Sequence, residues 1–183
     1  MRLSPENTTA LIIDLQERIV PAMNERERLI RRSKFLLSGL NVFSIPLVLT
    51  RQYPKGLGDV LSEISELAPE AKVFDKTTFS CLDDKATRDY FSLDARPNVL
   101  LAGIETHICV LQTALDLQAL GKNVYLVADC LSSRDAFDAQ IALERMARAG
   151  VVLATSESAL FEMTRDSKSA YFKSISKLAT SRK

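Results

Sequence analysis

The chain holds one histidine, His107, and three cysteines, Cys81, Cys109 and Cys130. That scarcity narrows the chemistry open to it. A three-histidine or His-Glu-His zinc site cannot be built from one imidazole. Three cysteines without a Cys-x-x-Cys pair suggest neither a disulfide framework nor a structural zinc. No metal and no cofactor is therefore expected. A Cys–His or Ser–His pair could use only His107, two residues before Cys109. On a helix, positions two apart face different ways, so His107 is a poor base for that thiol. A surface or subunit-contact role suits it better.

Cys109 follows Gly103-Ile-Glu-Thr-His-Ile, a glycine turn leading into a helix. Free N–H groups in a first helical turn, with the positive end of the helix dipole, stabilise a thiolate. The same groups can hold an oxyanion. Asp14 ends the apolar run Thr9-Ala-Leu-Ile-Ile13 and could take a thiol proton as general base. Lys76 follows Lys72-Val-Phe-Asp75, and an ammonium beside a thiol lowers its pKa. Each residue taken alone has a plainer reading. Cys109 could be a buried packing thiol, Asp14 a solvated loop acid or a cap, and Lys76 a solvent-facing lysine. Lys72 and Lys85 compete with Lys76 by composition, and only the strand-end position separates them. Together the three form an Asp-Lys-Cys set that needs no histidine.

The elements that must carry these residues can be read from hydrophobic periodicity. Short apolar runs at 9–13, 46–50, 72–75, 98–102, 123–128 and 151–155 read as strands. Helical stretches are expected at 26–43, 83–91 with Asp83 as N-cap, 106–120, 135–149, and 157–163 with Ser156 as cap. Residues 56–67 read as a loop with a short helix. The strands do not alternate with polar residues, so both of their faces are buried, as in a parallel sheet. The fold class is α/β, a three-layer α/β/α domain with a six-stranded, mainly parallel, Rossmann-like sheet. Ligands in such sheets sit beyond the carboxyl ends of the strands. That rule selects Asp14 and Gln16, Arg51 and Gln52, Lys76, and the segment from Gly103 to Cys109.

The 183 residues suit a single domain, 1–183. A formal net charge of +1 gives no reason to expect nucleic acid or an anionic membrane as partner. No apolar run reaches the roughly 18–20 residues of a membrane span. Neither a secretory leader nor a transit peptide is read in Met1-Arg-Leu-Ser-Pro-Glu-Asn7, and free thiols fit a reducing compartment. The cytoplasm is expected, with a mitochondrial location left open. A basic amphipathic helix or tail occupies about 166–183. Its Lys168, Lys173, Lys177, Arg182 and Lys183 could touch RNA, although a solvated helix face is commoner. Its Tyr171, Phe172, Ile175 and Leu178 suggest that it packs on something, a neighbouring subunit among the options.

Four segments occur in order: Ile12-Ile-Asp14-Leu-Gln16, Thr50-Arg-Gln52, Lys76-Thr-Thr-Phe79-Ser80, and Ala102-Gly-Ile-Glu-Thr106-His-Ile-Cys109-Val110. Asp129-Cys-Leu-Ser-Ser-Arg134 and Leu143-Glu-Arg-Met-Ala-Arg-Ala-Gly150 follow. From about residue 8 to about residue 163 the chain resembles the isochorismatase-like cysteine hydrolase superfamily. It is most similar to the short, single-domain isochorismatase domain-containing branch, some members of which were once named as ribonucleases. The resemblance implies a catalytic triad of Asp14, Lys76 and Cys109. It also implies a cis peptide at Ile104-Glu105 that aims the Glu105 N–H, with that of Cys109, at an oxyanion. Gln16, Gln52, Phe79 and Thr106 would line the substrate pocket, and a homo-oligomer is implied. Metal-binding nicotinamidases of this superfamily carry an Asp-x-His site after strand two. Here that stretch is Gln52-Tyr-Pro-Lys-Gly-Leu-Gly58, without histidine. The leading expectation is a metal-independent cysteine hydrolase of a small carbonyl, amide-type substrate, working through a thioester. An idle scaffold or partner-binding protein of the same fold, and a ribonuclease or RNA-binding protein, are the alternatives.

Overall fold

The computed structural model describes residues 2–181. Its strands are β1 (Thr8–Ile13), β2 (Leu47–Gln52), β3 (Lys72–Lys76), β4 (Asn98–Ile104), β5 (Asn123–Ser132) and β6 (Val152–Ala154). They form one sheet in the order β3-β2-β1-β4-β5-β6, and every neighbouring pair is parallel. The helices are α1 (Arg26–Val42), α2 (Pro54–Leu57), α3 (Ser62–Ser65), α4 (Lys85–Leu93), α5 (Leu111–Ala119), α6 (Ala136–Arg148), α7 (Ser156–Thr164) and α8 (Phe172–Ser181).

The sheet is covered on both faces, which is why its central strands read as unbroken apolar runs. Along β1, Ala10 and Ile12 enter a core shared with Leu36 of α1, Leu160 of α7 and Ile175 of α8. Leu11 and Ile13 enter the opposite core with Phe91 of α4, Leu117 of α5 and Met146 of α6. The edge strand β3 is largely exposed, and its sequence signal is correspondingly weak. Strands β1 and β4 approach closely at Gly103, whose φ is +118°. A Cβ there would lie 2.1 Å from the Ile13 carbonyl oxygen, so glycine is required by both contact and conformation.

Several boundaries differ from the sequence expectation. Strand β5 continues past 128 because pairing resumes after an irregularity in β4, with Gly103 opposite Leu131 and Ile104 opposite Ser132. Asp129 is tolerated there because its carboxylate accepts from the Ser156 N–H and hydroxyl at 2.6 and 2.7 Å. The N-cap of α7 is Thr155, not Ser156; its hydroxyl accepts from the Ser158 N–H. Likewise Asp84, not Asp83, caps α4 by accepting from the Thr87 N–H at 2.9 Å. The helix of Cys109 opens with a wider turn, Thr106–Val110, closed by a Val110 N–H to Glu105 carbonyl bond. The C-terminal segment packs on its own domain. Ile175 is buried in the core of α1 and α7, and the Tyr171 ring lies 4.8 Å from that of Phe43. Lys168, Lys173 and Lys177 stay exposed, whereas Arg182 and Lys183 lie outside the described residues. No described helix is long and apolar enough to cross a membrane.

Candidate active site

The sheet reverses its winding between β1 and β4. The chain after β1 leads to α1 on one face, and the chain after β4 leads to α5 on the other. Crevices at such switch points are where doubly wound folds place their ligands. Asp14 stands at the carboxyl end of β1 with a positive φ of 53°. Its side chain is buried and fully engaged. Oδ2 accepts from Lys76 Nζ at 2.7 Å, and Oδ1 accepts from the Thr50 hydroxyl at 2.7 Å. Lys76 closes β3, two strands away, and its side chain reaches across the end of β2. Its ammonium also donates to Gln52 Oε1 at 2.7 Å and to the Thr78 carbonyl at 3.3 Å. Burial pulls the Lys76 pKa down, but Asp14 and the neighbouring Cys81 and Cys109 outweigh it, so the ammonium is held more firmly than usual.

Cys109 is 7% exposed. Its thiol is pushed up to about 11, first by burial. The Lys76 charge opposes the rise, Asp14 adds to it by charge and hydrogen bonding, and the Glu105 N–H acting on the sulfur lowers it. Burial disfavours the charged form, opposing the pull expected of the helix start, and with its pKa raised to about 11 the group is a thiol at neutral pH. Cys81 lies fully buried behind the pair, with Sγ 4.0 Å from Thr50 Oγ1. Burial pushes its thiol up to about 12.

The other residues singled out in the sequence are distributed less simply. Gln52 anchors Lys76 and donates its own amide to the Thr77 carbonyl at 2.9 Å. Phe79 is 56% exposed beside this group. The Ile104–Glu105 peptide bond is cis. Gln16 and Thr106 are both buried and bonded to backbone. Gln16 is fully buried and staples three segments, donating to the Gln52 and Gly58 carbonyls at 3.0 and 2.8 Å and accepting from the Gln52 N–H at 2.7 Å. Thr106 is fully buried and donates to the Ser132 carbonyl at 2.9 Å. Their polarity serves the backbone because a buried amide or hydroxyl must find partners. His107 is turned toward Ser133 Oγ, 2.9 Å from its Nδ1, and away from the thiol chemistry. In the sequence, Thr50 is singled out only as part of the Thr50-Arg-Gln52 segment, with no role assigned to it.

A buried ion pair is costly to maintain, and one set against a helix-start thiol at a switch point makes these strand ends the candidate functional site. Fold and site define a three-layer α/β protein of Rossmann-like topology with a cysteine, an aspartate and a lysine gathered at its strand ends. Residues 8–158 match the isochorismatase domain model, and the chain belongs to the isochorismatase family, with that family's hydrolase fold. It is 41% identical over 173 residues to isochorismatase domain-containing protein 1 of Salmo salar. That match covers 94% of this chain and 61% of the relative, so the chain spans less than two thirds of that protein's length. Among solved structures, the MAR1 ribonuclease of Caenorhabditis elegans superposes with a TM-score of 0.93 at 37% identity, covering 98% of this chain and 93% of the other. The YcaC gene product of Escherichia coli, described as an octameric hydrolase of unknown specificity, shares the fold. Its TM-score is 0.89 at 21% identity, with 99% and 96% covered.

Proposed function

We propose that this chain is a cysteine hydrolase that cleaves a small carbonyl compound, of amide type, through Asp14, Lys76 and Cys109, without a metal or other cofactor. The observation that carries this reading is the 2.7 Å buried contact between Lys76 Nζ and Asp14 Oδ2, with both groups acting on the Cys109 thiol. Because that thiol rests neutral, attack and proton removal are coupled. Sγ bonds to the carbonyl carbon, the C=O electron pair moves onto oxygen, and the thiol proton passes to Asp14. The Glu105 N–H, with that of Cys109, receives the oxyanion. Collapse expels the amine, which takes the proton from Asp14 and leaves a thioester on Cys109. Water then attacks the thioester and loses its proton to Asp14. The acid departs, and the proton returns to sulfur. Throughout, Lys76 offsets the carboxylate charge and fixes its direction.

Gln52 and Phe79 are proposed to face the substrate, and residues 1–183 to work as one domain. We place the protein in the cytoplasm on the strength of its three free thiols. A homo-oligomer is proposed, in keeping with the octameric fold relative. A panel of small amides, esters and thioesters, read by mass spectrometry for an acyl group on Cys109, tests the mechanism.

A second reading, ribonuclease, rests on the name of the 37%-identical Caenorhabditis elegans protein, and it leaves nucleic acid open as a partner. Cleavage of purified RNA that survives Cys109→Ala would favour it. A catalytically idle scaffold would leave no acyl adduct with any member of the panel.

A further inference from the structure

Three consecutive residues that open the cysteine helix are each tied to one of three consecutive residues at the end of β5. The Arg134 main-chain N–H and Nε both donate to Glu105 Oε2, at 3.2 and 3.0 Å. Thr106 Oγ1 donates to the Ser132 carbonyl at 2.9 Å. His107 Nδ1 lies 2.9 Å from Ser133 Oγ. The β5 end is itself anchored to the chain before α1. Ser132 Oγ donates to the Asn24 carbonyl at 2.6 Å, and the Asn24 N–H donates to the Ser133 carbonyl at 2.9 Å.

Glu105 has two ends with different partners. Its carboxylate, 7% exposed, is held by Arg134, whose side chain is 62% exposed. Its main-chain N–H acts on the Cys109 sulfur. A buried carboxylate must keep its charged, hydrogen-bonded partner. The two bonds from Arg134 therefore hold the side chain of the residue whose N–H is proposed to receive the oxyanion. Direction at a reacting centre is worth a good deal.

We propose that Arg134 is a positioning residue. By holding the Glu105 carboxylate it sets the Glu105 N–H in place to receive the oxyanion, a role that rests on the cysteine-hydrolase reading above. The test compares two reagents on Cys109 in the full chain. Iodoacetamide alkylates the thiol by displacing iodide and develops no oxyanion. 4-Nitrophenyl acetate acylates it through a tetrahedral oxyanion and releases nitrophenolate. Arg134→Met is expected to slow acylation about 10- to 100-fold, somewhat less than outright loss of an oxyanion donor. Alkylation is expected to change by less than about twofold, since only a step that develops an oxyanion uses the donor. Arg134→Lys should recover part of the acylation rate, and melting temperatures of both variants identify any that misfold. Equal effects on the two reagents, or no effect on acylation in the folded Arg134→Lys and Arg134→Met proteins, would overturn the positioning role alone. Failure of the unmodified protein to acylate, with alkylation intact, would overturn the hydrolase reading and this inference with it.

Discussion

Thr50 gives its hydroxyl hydrogen to Asp14 Oδ1, the carboxylate oxygen that Lys76 does not use. The two donors come from neighbouring strands, β2 and β3, and fix both oxygens of a buried acid. An aspartate held at both oxygens keeps one orientation, and a general base must hold its orientation toward the proton it takes.

Thr50→Val keeps the shape and removes that donor. One buried oxygen of Asp14 then loses a partner, which costs about 1–3 kcal/mol of stability. Acylation of Cys109 should slow by roughly tenfold while iodoacetamide alkylation is preserved, in line with the modest end of general-base effects. Thermal denaturation and the two rates, measured on one preparation, check both parts. An unchanged acylation rate would remove Thr50 from the site.

Asp14→Asn should divide two properties that usually travel together. The aspartate raises the Cys109 pKa by charge and by hydrogen bonding, so its removal lowers that pKa from about 11. Lys76 is left unopposed beside the sulfur and pushes the same way. Alkylation at pH 8 should accelerate about tenfold for each unit gained. Turnover of any ester or amide should fall by about 10²-fold or more, for want of the base. A variant that alkylates more slowly than the parent protein would contradict this electrostatic picture.

The site was only partly legible in the sequence, for physical reasons. Asp14 and Lys76 could be picked out because each directly follows an apolar run, and Cys109 because it lies in the first helical turn after the fourth run and Gly103; the switch-point rule gives strand ends a meaning. Thr50 sits within an apolar run, where threonine looks like any β-branched strand residue. Gln16 carries the same signature whether its amide faces a substrate or a backbone, and only the paths of the loops at 52 and 58 decide. The two misplaced caps, Asp83 for Asp84 and Ser156 for Thr155, arose where two good capping residues adjoin. The Cys109 pKa depends on burial, which a helix-start argument does not contain. In the fold, the covered strands were clear and the exposed edge strand β3 was faint, as two-sided burial predicts.

Alkaline pH should unfold the protein earlier than its composition suggests. The folded thiols of Cys109 and Cys81 are pushed up to about 11 and about 12, and that of Cys130 is raised well above the ordinary value, all chiefly by burial. An unfolded cysteine titrates near about 8.5. A raised folded pKa contributes stability that is complete below the unfolded value and lost as pH climbs toward the folded one. Lys76, also raised, acts in the same direction at higher pH. The melting temperature should fall steadily from pH 8.5 to 10.5, and Cys81→Ala should make that slope shallower even as packing is lost. An identical slope in the variant would show that Cys81 does not titrate with unfolding.

The most direct measurement is the intact mass of the protein during turnover of a reactive ester or amide, followed by peptide mapping. The cysteine-hydrolase reading predicts one acyl group, on the peptide carrying Cys109. The adduct should form before product accumulates and be absent from folded Cys109→Ala. Turnover that persists in Cys109→Ala, or an acyl group found on Cys81 or Cys130 instead, would contradict it.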